Sequence, residues 1–403
     1  MGWLIPRQDL SKEQIRAVEL STSSHRVIVG APGSGKTQIL LHRAARLRED
    51  HGTPTDKFQI FVFTNVLKDY IRAALGELGL PEANVCTFDD WCKRCYEDLV
   101  SRRVPWNQSD HRPDFAAIRH GLVSALRGKP ARYDYVLVDE GQDLEPEYFE
   151  ILRLIARHVT VCLDHKQQIY DHGSSYETVI AALGLRRGDL TLLEAFRCCP
   201  YIVEVSAEFI DDSAEREAFL NQARTTQSEK LTPMVYEASG FEDECENMVA
   251  IVKERLLVDK SIAILFPMKK QVEGFANAFR DAEIKVETQR TGLNFSNNVP
   301  KLITIHSAKG LTFDTVLLPR LVPGSFPRFG DARIRRMLYV GITRATKWVY
   351  LSTYSYNAIP QLGLLRSLVA RKPAPITITS DPMPKVQARS AAAGNDDDPF
   401  GLL

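Results

Sequence analysis

The segment Gly30–Thr37, GAPGSGKT, constrains the architecture of this chain more than any other. It fits G-x-x-x-x-G-K-[ST], a loop whose glycines turn backbone N–H groups inward onto phosphate oxygens. Such a loop works only between a buried strand and the N-terminus of a helix, where unpaired N–H groups and the helix dipole both favour an anion. The flanks comply. Arg26–Val29 (RVIV) predicts a short buried strand, and Gln38–Arg48 predicts a helix. The expected phosphate-binding residues are Gly30, Ala31, Pro32, Gly33, Ser34, Gly35, Lys36, Thr37 and Gln38. Lys36 supplies a point charge for the β- and γ-phosphates of ATP, and the Thr37 hydroxyl is a ligand for Mg²⁺.

About 100 residues later the chain reads VLVDEGQD at Val136–Asp143. An apolar run ending in two carboxylates suits the C-terminal edge of a parallel strand. Asp139 is placed to hold Mg²⁺, and Glu140 to orient and deprotonate an attacking water. The plainer alternative is that both carboxylates cap a helix starting near Leu144, which would leave the phosphate loop without the acidic strand end it requires.

The 403 residues suffice for two domains. No apolar run approaches the ~18 residues of a membrane span, and the N-terminus lacks the pattern of a signal peptide. Seven cysteines without framework spacing suit a reducing cytoplasm. Cys92 and Cys95 form a CxxC on an expected helix, but no second pair follows at zinc spacing, so they are read as core residues. The 51 Lys+Arg balance 51 Asp+Glu, so there is no global nucleic-acid footprint, although a local basic track remains compatible.

Strands alternate with helices twice over. Val27–Gly30, Gln59–Thr64, Tyr135–Val138 and Thr160–Leu163 predict one parallel sheet. Ser261–Phe266, Lys301–His306, Thr315–Leu318 and Trp348–Ser352 predict a second.

Further segments resemble the UvrD/Rep family of superfamily 1 DNA helicases, in order along the chain. LSKEQIRAV (Leu10–Val18) is similar to the family's Q motif, in which a Gln, here Gln14, reads adenine. FTN (Phe63–Asn65) and TFDDW (Thr87–Trp91) resemble motifs on the single-stranded-DNA side. VDEGQD is the helicase form of the Mg²⁺ motif. LDHKQQIY (Leu163–Tyr170) resembles GDxxQxIY, whose Gln, here Gln167, senses the γ-phosphate. EAFRCCP (Glu194–Pro200) resembles the motif carrying an adenine-stacking aromatic and an arginine finger, here Phe196 and Arg197. TIHSAKGLTFDTVLLP (Thr304–Pro319) is close to THSAKGLEF and contains His306 and Gly310. RRMLYVGITRAT (Arg335–Thr346) is close to LxYVAxTRA, with Arg344 as a second finger.

The resemblance implies an α/β fold of two RecA-like P-loop domains, each a mostly parallel sheet with flanking helices, with the ATP cleft between them. Residues 1–195 would form the N-terminal domain, with a reduced helical insertion about 95–132. Residues 196–369 would form the C-terminal domain, and 370–403 an unstructured, acidic-ended tail. The implied catalytic set is Glu140, Arg197, Arg344 and Gln167, with Gln14, the loop residues, Phe196 and Gly310 around the nucleotide. Phe63, Asn65, Trp91, His172 and His306 would contact nucleic acid, although packing is the alternative for Trp91.

The implied activity is ATP- and Mg²⁺-dependent movement on single-stranded DNA or a tailed duplex, 3′ to 5′. The alternative is a nucleotide-driven DNA-end sensor or accessory motor in a multi-protein system such as phage defence, with weak unwinding alone. Asp396–Leu403 is the expected segment for docking a protein partner. The chain departs from the family in four places. The large second insertion is absent between Val286 and Thr304. Thr312 replaces a ribose-contacting Glu. Asp171–Ser174 lacks the base-stacking Trp of GWRG, leaving His172 as its substitute. Arg333-Ile334 replaces a Glu-Glu pair.

Overall fold

A computed structural model describes residues 4–108, 111–164, 174–186, 190–193, 195–196, 198–222, 224–225 and 230–382. In chain order the first half contains α1 (Lys12–Val18), β1 (Arg26–Gly30), α2 (Lys36–His51), β2 (Phe58–Val62), α3 (Asn65–Leu75), β3 (Val85–Thr87) and α4 (Phe88–Leu99). A short hairpin, β4 (Trp106–Asn107) and β5 (Arg112–Pro113), leads to α5 (Phe115–Leu126), β6 (Tyr133–Val138), α6 (Pro146–Ile155), β7 (Ala156–Leu163), α7 (Tyr176–Leu183) and β8 (Leu190–Leu193). The sheet order is β3-β2-β6-β7-β1-β8, and every pairing in it is parallel.

A crossing segment carries β9 (Ala195–Phe196), α8 (Pro200–Ala207), α9 (Ser213–Gln222) and β10 (Arg224–Thr225). Then follow β11 (Met234–Ala238), α10 (Phe241–Arg255), β12 (Ile262–Phe266), α11 (Lys269–Asp281), β13 (Glu287–Thr288), β14 (Lys301–Thr304), β15 (Phe313–Leu318), α12 (Asp331–Ile342), β16 (Ala345–Tyr354), α13 (Arg366–Val369) and β17 (Thr377–Thr379). The second sheet, β13-β14-β12-β15-β16-β11-β17, is again parallel. β17 falls within the stretch expected to be an unstructured tail. Its register with β11, and a fully buried Ile376 beside it, extend the packed structure past residue 369.

Helices cover both faces of each sheet, so the central strands are apolar on both sides. β2 (FQIFV) and β12 (IAILF) are buried at every position. Helix starts are set by side-chain caps that also fix the strand-end loops. Thr64 accepts the Leu67 N–H, Thr87 the Asp90 N–H and Asp114 the Ala117 N–H. The two halves share one buried cluster, in which Leu67 and Ile71 of α3 join Ala308, Leu311 and Leu338. Among the described residues no helix is long and apolar enough to cross a membrane.

Candidate functional site

The phosphate loop joins β1 to α2. Gly35, at φ 84°, occupies the left-handed region just before α2, and no side chain caps that helix. The first-turn N–H groups therefore remain available to an anion. Lys36 Nζ donates to the Gly30 and Ala31 carbonyls at 2.7 and 3.1 Å and pairs with Asp164 Oδ2 at 3.3 Å. Gln14 braces the loop from outside. Its Oε1 accepts the Ser11 N–H at 3.0 Å, closing a capping box, while its Nε2 donates to the Ser34 carbonyl at 2.9 Å. The expected base reader thus holds the loop's shape. Gln38 does similar work by accepting the Ile5 N–H at 3.0 Å.

Opposite the loop, β6 ends in the carboxylate pair. Thr37 Oγ1 donates to Asp139 Oδ2 at 2.7 Å. Asp139 is 1 % exposed. Burial, then the adjacent Glu140, push its carboxyl up to about 7, against the pull of the Thr37 hydroxyl and Lys36. Glu140 sits in the left-handed region at φ 54°. Its N–H donates to Asp139 Oδ1 at 3.0 Å, and its Oε2 accepts from Gln142 Nε2. Gln142 Oε1 in turn accepts the Asp164 N–H at 2.9 Å, so one amide ties the Glu140 carboxylate to the end of β7. The sequence flagged Gln142 only through the motif and gave it no partner.

A Mg²⁺–nucleotide fits this arrangement. Two carboxylates crowd a buried spot where a divalent cation would relieve their repulsion. The buried Ser34 Oγ in the loop has no hydrogen-bond partner.

The second half closes the cleft. A cavity is lined by Pro32, Gly33 and residues 35–38 of the loop, with Tyr70 and Glu140, on one side and by Gly310, Thr312, Arg344 and Thr346 on the other. Arg344 is 2 % exposed. Its guanidinium is held by the Val340 and Leu311 carbonyls at 3.0 and 3.3 Å. Gly310, at φ 76°, presses its backbone onto α3. A Cβ there would lie 2.9 Å from both Leu67 methyls and 3.4 Å from Glu140 Oε1, so only glycine fits. Gly310 therefore acts through close approach of the two halves. Beside it, Lys309 Nζ reaches Asp143 at 2.6 and 2.7 Å, an ion pair between the halves that is 1 % and 0 % exposed. Burial drives the Asp143 carboxyl up against the pull of that lysine. Gln167, His172 and Arg197 lie outside the described residues, as does the Phe196 side chain.

The expected nucleic-acid residues divide. Phe63, after β2, and His306, after β14, meet edge to face across the two halves with centroids 6.1 Å apart. Burial, then Lys309 and Arg333, pull His306 down to about 4, so it is neutral at physiological pH. Asn65 is exposed at the start of α3, and its Oδ1 accepts from Lys68 Nζ at 2.6 Å. Trp91 is corrected by the structure. It is 4 % exposed, and its indole N–H donates to the Tyr133 hydroxyl at 2.9 Å. Packed against Phe61 and Phe88, it is a core residue with no face for a base. Cys92 and Cys95 are likewise buried in that core.

The UvrD/REP helicase N-terminal domain matches residues 10–120 and 114–182, and the UvrD-like helicase C-terminal domain matches residues 286–356. A Mycoplasma pneumoniae protein described as "Probable DNA helicase" is 26% identical over 305 residues, covering 69% of this chain and 55% of its own length. The R568 protein of Acanthamoeba polyphaga mimivirus is 23% identical over 389 residues, covering 87% of this chain and 54% of its own length. The ATP-dependent DNA helicase UvrD1 of Mycobacterium leprae is 28% identical over 182 residues, covering 41% of this chain and 22% of its own length. The chain thus spans about half the length, or less, of these curated relatives. Both matched domains carry the residues that build the cleft, and the mostly parallel, helix-flanked sheets are the RecA-like P-loop folds of that family, so the chain belongs to the UvrD/Rep-like helicases.

Proposed function

We propose that this chain is an ATP- and Mg²⁺-dependent motor that moves along single-stranded DNA, 3′ to 5′, in the cytoplasm. The observation that carries the reading is the composition of the cleft. The phosphate loop and Glu140 face Gly310 and Arg344 across one cavity, so nucleotide bound there contacts both halves.

Lys36 exchanges its loop carbonyls and Asp164 for phosphate oxygens. Glu140, held by Gln142, accepts the proton of the attacking water. Arg344 offers a guanidinium that cannot lose its charge to the developing negative charge, with Arg197 as the other finger, Gln167 as γ-phosphate sensor and Phe196 as base stack. Thr37 and Asp139 would hold Mg²⁺, which neutralises phosphate charge when bound. Loss of the γ-phosphate removes what both halves grip, and the cleft opens. Phe63, Asn65 and His306 hold the strand while this happens.

A second reading has one feature in its favour. Residues 289–300 form a short loop where larger relatives carry an insertion, which suits an accessory motor or DNA-end sensor that unwinds poorly alone. A partner would then be recruited through Asp396–Leu403.

Steady-state hydrolysis with and without oligo(dT), blunt duplex and oligo(U) tests the motor. Oligo(dT) should stimulate turnover, and Lys36→Ala should abolish it. Arg344→Ala should lower kcat by roughly 10³-fold with a smaller effect on nucleotide affinity. Hydrolysis indifferent to every nucleic acid, or to Lys36→Ala, would overturn the proposal.

A further inference from the structure

We infer that Arg333 and Phe329 continue the single-strand track beyond the Phe63–His306 pair, with the Arg333 guanidinium gripping a backbone phosphate beside a base stacked on the exposed side of the rings. The inference rests on the DNA-motor reading above and names a contact that the motif comparison does not supply.

Arg333 lies in the first turn of α12, in the connection that leaves the C-terminal end of β15. Its Cζ sits 4.5 Å from the centroid of the Phe329 ring, within cation–π range. The side chain is half-buried, and its Nε is buried with no hydrogen-bond partner. Among the described residues Arg333 has no carboxylate partner. Its neighbour Arg335 does: that residue bridges to Asp331 at 2.7 Å and to Asp211 at 3.1 Å. A guanidinium fixed on a ring but lacking an anion is suited to bidentate capture of a phosphate.

The location joins this cation to the established pair. Arg333 is near enough to His306 to depress its protonation, and His306 touches Phe63 of the first half. Phe63 and His306 directly follow β2 and β14, at the C-terminal edges of parallel strands, and Phe329 and Arg333 belong to the connection between β15 and α12 and the first turn of that helix. A neutral imidazole and aromatic rings alternating with a bare cation match the bases and phosphates of a single strand. An acidic peptide would use the cation but not the rings.

The test is fluorescence anisotropy of labelled oligo(dT) across a salt series, with melting temperature as a folding control, on the wild type, Arg333→Gln and Arg333→Lys. Arg333→Gln should weaken binding about tenfold and flatten the log Kd–log[salt] slope by about 0.7, one phosphate's worth for a single strand. Arg333→Lys should keep the slope and lose part of the affinity, because an ammonium neither stacks nor binds in fork geometry. Wild-type affinity and slope in Arg333→Gln would overturn this inference while leaving the motor intact. A wild type that fails to bind oligo(dT) would overturn the motor reading itself.

Discussion

A non-glycine residue in the left-handed region carries a cost of about 1–2 kcal/mol, and Glu140 occupies it at φ 54°. The strain persists because Asp139 Oδ1, Gln142 and the backbone at Gly310 surround the residue. The outcome is a carboxylate aimed into the cleft between the halves. Replacing it by its amide preserves shape and removes the proposed proton acceptor. Glu140→Gln should bind a fluorescent ATP analogue as the wild type does while kcat falls by about 10² or more; turnover at the wild-type rate would assign the base elsewhere. Lys36, Thr37, Asp139 and Glu140 were legible in the sequence because their spacing is dictated by phosphate geometry. Trp91 was not, because an aromatic beside a motif reads the same whether it faces a base or the core. Its hydrogen bond to Tyr133 gives the check. Trp91→Phe should lower stability by about 1 kcal/mol and leave oligo(dT) affinity unchanged, whereas weakened DNA binding at unchanged stability would return Trp91 to the strand track.

Strand β7 and helix α2 are joined by a buried polar group that has no part in the cleft. Arg43, fully buried, donates to Thr160 Oγ1 at 3.0 Å and lies 3.1 Å from His158 Nε2. Burial, then Arg43, His25 and Arg26, pull His158 down to about 3. A folded-state value below the unfolded one means that the unfolded chain takes up the proton first, so stability falls as pH drops from about 6.5 toward about 3. Between pH 7.5 and 5.0 His158 should cost about 2 kcal/mol. His158→Gln should shrink that loss in urea denaturation, and an unaltered pH dependence would exclude His158 as its source. The Lys309–Asp143 pair links the loop after β14 to the turn after β6. Removing one partner strands a buried charge at a cost of roughly 3–5 kcal/mol. A cycle of Lys309→Met, Asp143→Leu and the double variant should show the double variant less destabilised than the sum of the singles, and simple additivity would mean the pair is not coupled. The long apolar runs β2, β6, β12 and β15 were read from sequence within a few residues. Short edge strands were not. Thr377–Thr379 falls within the expected tail, because two or three residues carry no periodicity. The Thr64 and Thr87 caps were legible in principle as threonines preceding helices, but their motifs drew attention to ligands instead.

For the molecule as a whole, the strands of two parallel sheets could be read from sequence, but not their order in space or the contact between the halves, which depends on Gly310, Lys309 and the loop at residues 289–300. That loop is tightly organised. Lys301 Nζ donates to Glu287 at 2.8 Å, to Asn297 Oδ1 at 2.6 Å and to the Val299 carbonyl at 2.7 Å. Phe295 meets Tyr70 of the first half edge to face at 5.1 Å. This chain therefore has a short connection between β13 and β14 docked beside the nucleotide cleft. On the proposed reading, stepping needs only two halves that close on ATP. Strand separation also needs a grip on the duplex and a wedge at the fork. Each base-pair step costs on average about 1.4 kcal/mol to open, so a motor that releases between steps lets the fork reclose. The expected behaviour is DNA-stimulated hydrolysis with little unwinding of long duplexes by the chain alone. A stopped-flow series on 3′-tailed duplexes of increasing length, at saturating ATP and protein, measures this directly. Amplitude should collapse as the duplex lengthens while hydrolysis continues undiminished. Efficient separation of the longest duplex would show that the two halves suffice for unwinding and would remove the case for an accessory motor.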